Sequence, residues 1–249
     1  MKKITVSQEG LKLIASLTML IDHIGAVLVY AIYLSAWNAG DYALSNAMAA
    51  LYQPMRIVGR IAFPIYCFLL VEGFHHTRNI KKYITRLGIG MLLSEIPFDL
   101  ALSGGIDWGS SSVMVTLLLG CLMMVCMQRL QGFWKFAVIL PFVLIAEWLK
   151  TDYAGNGIAL IAMLALTKSL PREKLWRTAG FVILLWFGPD VQVGALNIPM
   201  ELFGLIGLIP MFLYTGKKLT RNKGVQWAFY LFYPVHLLIL WLLERVFLG

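Results

Sequence analysis

Charge is scarce in this chain. Of its 249 residues, 14% are Asp, Glu, Lys or Arg, against about 25% in an average soluble domain. With 59% of the residues hydrophobic, nothing is left over from which to build a separate soluble domain. The chain therefore reads as one all-α, polytopic integral membrane domain spanning residues 1–249. Cysteine is scarce too. Cys67, Cys121 and Cys126 all fall in apolar stretches, which excludes a disulfide framework and a zinc pattern, and no metal is expected. An internal repeat is absent, which weighs against a transporter built from inverted halves. A cleavable signal peptide is not expected, because the first apolar stretch is too long, is interrupted by Asp22 and His23, and lacks a small-residue cleavage site.

What is present is a series of apolar runs. The hydropathy pattern predicts nine spans, at 11–34, 57–74, 83–102, 112–127, 136–149, 155–168, 178–188, 196–214 and 225–245, of which 178–188 is the weakest. Lys and Arg collect in alternate loops. One set holds Lys2, Lys3 and Lys12; Arg78, Lys81, Lys82 and Arg86; Arg129 and Lys135; Lys168, Arg172, Lys174 and Arg177; and Lys217, Lys218, Arg221 and Lys223. These are most of the 21 basic residues. The positive-inside rule then puts the N-terminus in the cytoplasm and the C-terminus outside. The net charge of +8 is accounted for by topology, so no nucleic-acid partner is expected. The loop at 35–55, with Trp37, Asn38, Asp41 and Gln53, is expected to form a lid or an interfacial segment.

Polar residues inside the spans are the informative ones. An ionisable group at mid-bilayer costs about 2.5–3.5 kcal/mol on insertion scales, so each one marks a functional-site hypothesis. Asp22 and His23 lie side by side about 15 Å into the first span, near the midplane. Lys12 precedes His23 by eleven residues, close to three helical turns, and shares its face. Arg56 and Arg60 are one turn apart, with Arg60 expected about a turn inside the outer boundary. Gly59 is expected to admit a neighbouring helix, and Pro64 to kink the second span. Glu72 and His75 share a face at the cytoplasmic end. Glu95 and Asp99 share a face in the third span, and one of them is expected to pair with Arg60. The last span carries Tyr233 and His236 beside Pro234. Each of these also admits a purely structural reading. Together, Asp22, Arg60, Glu95 and Asp99 must face one another or a wet cavity.

Three blocks, KLIASLTMLIDHIG (12–25), RIVGRIAFPIYCFLLVEGFHHTRNIKKYITRLGIGMLLSEIPFDL (56–100) and FYLFYPVHLLIL (229–240), resemble the TraX family, the F-pilin N-acetylation proteins and their relatives. The layout matches over nearly the whole chain. The spacing Lys12-x10-His23 also resembles the Arg/Lys-x10-His motif of membrane acyltransferase family 3. The resemblance implies a conjugation-type acetyltransferase of the bacterial cytoplasmic (inner) membrane. It would carry acetyl groups from cytoplasmic acetyl-CoA to an amine or hydroxyl acceptor at or beyond the bilayer, a pilin-like peptide or a glycan. It makes His23 the catalytic histidine, acting as a general base or through an acetyl-histidine. Asp22, Glu95 and Asp99 would assist or orient it, and Arg60 would stabilise the oxyanion. Lys12, Lys81, Lys82 and Arg86 would hold the CoA phosphates. Arg56, Glu72, His75, Tyr233 and His236 would line the cavity. Two other readings fit the same residues: a proton-coupled transporter or exporter, and a non-catalytic membrane assembly factor.

Overall fold

The computed structural model describes residues 5–248 apart from 108, 169, 194 and 219–221. Lys2, Lys3 and Arg221 of the basic loops lie outside the described residues. The chain is mostly helical. Helix α1 (Gln8–Ile24) starts at Ser7, whose Oγ accepts from the Gly10 amide. It runs through a π-helical turn, Gly25–Val29, into α2 (Tyr30–Asn38). Helix α3 (Tyr42–Gly59) is capped by Asp41, and α4 (Ala62–His76) continues it after a break at Arg60 and Ile61. Helix α5 (Ile80–Leu102) is capped by Asn79 and passes Pro97 without interruption. There follow α6 (Val113–Arg129), α7 (Trp134–Ala137), α8 (Ile139–Trp148), α9 (Ala154–Thr167) and α10 (Glu173–Leu184). A two-stranded antiparallel hairpin, β1 (Asp190–Val193) with β2 (Leu196–Pro199), leads into a 3-10 segment, Met200–Gly207, and α11 (Leu208–Phe212). Helix α12 (Lys223–Leu248) closes the described chain.

Among the described residues, three helical stretches are long and apolar enough to cross a membrane: Gln8–Asn38, Tyr42–His76 and Gly224–Leu248. The shorter apolar helices are Val113–Arg129, Ala154–Thr167 and Met200–Phe212. Most of the expected spans therefore coincide with helices, but three regions depart from expectation. The stretch at 35–55 is not a loop: most of it is helix α3, which packs along α1 and α2. The run 178–188 holds only the end of α10, a helix of 12 residues, about 18 Å long and short of a ~30 Å hydrocarbon core. The run 196–214 opens as a β-strand and a 3-10 segment rather than as α-helix.

Helix α4 is the hub, with Phe63, Ile65, Cys67, Phe68, Leu70 and Val71 buried. It packs on α1, α6, α9 and the 3-10 segment. Its start follows from Pro64. A proline ring clashes with the carbonyl four residues earlier and has no N–H to offer it, and that carbonyl belongs to Arg60. The chain breaks there, and glycines of the 3-10 segment fill the space. A Cβ on Gly204 would stand 3.2 Å from the Arg60 carbonyl oxygen, and one on Gly207 would stand 3.3 Å from that of Ile61. Gly59 has a stricter task. A Cβ there would lie 2.1 Å from Asp22 Oδ1, so only glycine lets Asp22 of α1 reach across the α3–α4 break.

Candidate functional site

Asp22 and His23 are adjacent in sequence, and so point about 100° apart around α1. Both are buried, and each belongs to a different constellation.

Asp22 faces α3 and α4. Its Oδ2 accepts from Arg56 Nη1 at 2.8 Å, and Arg60 Nη2 reaches Oδ1 at 3.0 Å and Oδ2 at 3.2 Å. Arg60 Nη1 donates to Glu201 Oε1 at 2.7 Å, and its Nε donates to the Arg56 carbonyl at 3.1 Å. Two guanidinium cations thus meet two carboxylates in a neutral, nearly closed network at a helix break. Arg60 lies level with Asp22, halfway along Tyr42–His76, and so deeper than its place in a span at 57–74 suggests. With every nitrogen of its fork engaged, Arg60 is committed as an ion-pair hub, and oxyanion stabilisation would require it to let a partner go.

His23 faces α12. Its Nδ1 lies 2.6 Å from His236 Nε2, with the two rings within 13° of parallel. His236 Nδ1 lies 2.6 Å from the Phe232 carbonyl oxygen. A carbonyl only accepts, so His236 carries its proton on Nδ1 and presents a lone pair at Nε2. His23 must then donate from Nδ1, which leaves its own Nε2 as a proton acceptor. The relay of backbone carbonyl, His236 and His23 fixes one tautomer and one reactive atom. Tyr233 meets both rings edge-on, with centroids 5.9 Å from His23 and 5.8 Å from His236.

A cavity of about 370 Å3 runs from the basic end of the bundle toward this relay. Glu9, Lys12, Arg78, Arg86 and Lys218 line its mouth, and Met19, Tyr66, Met114 and Tyr233 its depth; neither His23 nor His236 lines it, and nor does Arg56, against the expectation that Arg56 and His236 would. Met19 is one turn before His23 on α1. Lys12 Nζ sits over the Phe229 ring at 5.2 Å. Lys12 and Arg86 line the cavity, whereas Lys81 and Lys82 are exposed on α5 outside its lining.

The remaining candidates are placed differently. Glu95 and Asp99 approach neither Arg60 nor His23. Glu95 accepts from the amide and hydroxyl of Ser112, at the start of α6. Asp99 Oδ2 accepts from the Asp107 amide at 3.2 Å. The two carboxylates pin the α5–α6 connection, because α5 turns their face toward that loop. Glu72 lines the cavity and pairs with Lys168, and the His76 ring bonds its carbonyl. His75 is exposed, edge-on to Phe74, and does not line the cavity. Glu201 is the functional-cluster residue that spacing alone passed over. Its signal was the one that singled out Asp22, a lone carboxylate inside an apolar run.

The outer surface supplies the last observation. Large apolar side chains stand exposed on most helices, among them Leu92, Leu140, Ile183 and Trp148, the last 81% exposed. Apolar surface on this scale needs a nonaqueous neighbour. With long apolar helices and a buried ionic network, it defines an α-helical membrane protein.

The chain belongs to the TraX family: the family model described as TraX protein matches residues 7–244. A curated relative, the probable fimbrial assembly protein FimC, serogroup H1, of Dichelobacter nodosus, is 32% identical over 259 residues, covering 96% of each chain. No solved structure matches.

Proposed function

We propose that this protein is a membrane-embedded acetyltransferase that moves an acetyl group from acetyl-CoA to an amine or hydroxyl acceptor. The observation that carries the reading is the His23–His236 relay, which meets Tyr233 at the depth of a cavity whose mouth is basic. The donor enters at the end holding Lys12, Arg78, Arg86 and Lys218, with its phosphates on those cations and its pantetheine arm along α1 toward Met19. From Lys12 to His23 the helix rises roughly 16 Å.

In the transfer step, the neutral acceptor attacks the thioester carbonyl and its proton passes to His23 Nε2. The imidazolium so formed is stabilised by its Nδ1–H donation to His236. As the C–S bond breaks, His23 returns the proton to the departing sulfur. The products are CoA thiol and an acetyl amide or ester, and His23 is neutral again. Asp22 and Arg60 act by holding α1 against the α3–α4 break, which sets the height of His23.

The name of the Dichelobacter relative supports a pilus-type acceptor, at or beyond the far side of the bilayer. The same naming, together with the charge-balanced Asp22–Arg56–Arg60–Glu201 network, also suits a non-catalytic assembly factor whose charges lock the bundle. The reading further includes the bacterial inner membrane and, on the strength of the Lys/Arg asymmetry, a cytoplasmic N-terminus, an external C-terminus and hence an odd number of crossings. Incubating purified protein with acetyl-labelled acetyl-CoA and a peptide with a free N-terminal amine tests the activity. Protein-dependent labelling with release of CoA thiol is expected. Absence of both, with the protein folded and the peptide bound, leaves the assembly-factor reading.

A further inference from the structure

A second cavity, of about 470 Å3, lies beside the first and shares Glu72 and Tyr214 with it. No step of the proposed transfer uses it. Its walls come from Phe68 of α4, from Arg172, Lys174 and Arg177 at the head of α10, and from Phe212 at the end of α11.

Three features make this a site for an anion. The first is charge. Arg172, Lys174 and Arg177 face it, while of its two carboxylates Glu72 is already paired with Lys168. The second is backbone. Helix α10 begins here with no side-chain cap at Arg172, and the dipole at its N-terminus favours a negative group. The third is Arg177. It is 6% exposed and lies over the Phe68 ring at 5.3 Å. Its Nη2 is 2.6 Å from Glu173 Oε1, but its Nε has no hydrogen-bond partner among the described residues. A buried guanidinium with an idle donor is expensive unless an acceptor arrives, and a phosphate is the anion its planar fork fits best. Phe212 and Tyr214 also line the cavity, with Lys174 Nζ over the Phe212 ring at 5.3 Å, so it has aromatic as well as cationic walls for a base that carries a phosphate.

We propose that this cavity receives the 3′-phosphoadenosine end of the acyl-CoA donor, while the first cavity holds the diphosphate and the pantetheine arm. The proposal rests on the acyl-CoA reading above. Glu72 and Tyr214, common to both cavities, mark where the donor bends from one into the other.

The test is calorimetric binding of CoA and of dephospho-CoA, which lacks the 3′-phosphate, to full-length protein in nanodiscs of zwitterionic lipid. The wild type should bind CoA at least about 10-fold more tightly, the worth of one strong charge-assisted contact. The exposed pair Arg172→Ala with Lys174→Ala, which should leave folding intact, should cut that preference severalfold. Arg177→Gln should bring it close to one, and Lys12→Ala should weaken both ligands in proportion. If the wild type binds both equally well, the subsite is overturned and the acyl-CoA reading stands. If it binds neither, the acyl-CoA reading falls and takes the subsite with it. A preference that survives all three substitutions also overturns the assignment. So does the result in which these substitutions release phosphatidylglycerol from anionic nanodiscs without altering the CoA preference, because the occupant is then a lipid headgroup.

Discussion

Asp22 and His23 are neighbours on one helix, yet their surroundings differ in one respect that separates structure from chemistry. Around Asp22 the two guanidinium groups and two carboxylates balance, and both Asp22 oxygens and all three Arg60 nitrogens are bonded. Around His23 one ring nitrogen is bonded and oriented, and the other carries a lone pair that the relay leaves uncommitted. A cluster whose charges are paired holds parts together, although Glu201 Oε2 finds no partner among the described residues; an oriented, uncommitted lone pair reacts. If that contrast is right, substitutions on the two sides should fail in different ways.

The largest expected effect is at His23. His23→Gln keeps a polar side chain but not the base, so acetyl transfer should fall by about 10²–10⁴-fold with normal membrane abundance and thermal stability. Near wild-type transfer would remove His23 from the chemistry. Next is Arg60→Leu, which leaves Asp22 and Glu201 buried without their shared cation. Breaking a buried pair costs about 3–5 kcal/mol, so the Tm in detergent should drop and less protein should reach the membrane. If Arg60→Leu instead abolishes transfer in a fully stable protein, the division between the two clusters is wrong. His236→Asn comes third. It should lower kcat by about 10–100-fold, by analogy with the orienting partners of metal-bound histidines, with KM for acetyl-CoA little changed. A rise in KM alone would make His236 a binding residue. The smallest effect belongs to Lys12→Ala, which should raise KM severalfold with kcat preserved, as for lost ground-state binding. Lys81→Ala, exposed and outside the cavity, is its control and should change neither.

The polar residues of both clusters were legible in the sequence because an apolar background makes each one conspicuous. Their pairing was not. Glu95 and Asp99 were as good as Asp22 as partners for Arg60 on charge and depth, and only the way α5 faces the 103–112 connection takes them out of reach. Glu201 escaped notice although it sits in an apolar run, because its backbone is 3-10 and the helical spacing used elsewhere does not apply. Helix α3 was hidden by polar residues at its start, although it carries two helix signals: Asp41, whose Oδ1 accepts from the Leu44 amide at 3.0 Å, and the alanines at 43, 47, 49 and 50. The relay itself could not be read from spacing, since it joins residues 213 positions apart.

The π-helical turn at Gly25–Val29 has a consequence for how this helix tolerates change. One extra residue in a turn offsets everything beyond it by about 100° relative to a straight α-helix. The turn falls between the half of the helix that carries Asp22 and His23 and the half whose Tyr30 packs against Tyr52 of α3. It therefore works as a phase joint: the inner half keeps its register on Arg56 of α3, on α4 and on α12, while the outer half takes its own on α3 around Tyr52. Deleting one residue from 25–29 should straighten the joint and swing the Tyr30, Tyr33 and Trp37 face away from α3, with the two histidines still in line. A deletion of the same size before Asp22 has no such joint to absorb it and would rotate both constellations out of place together.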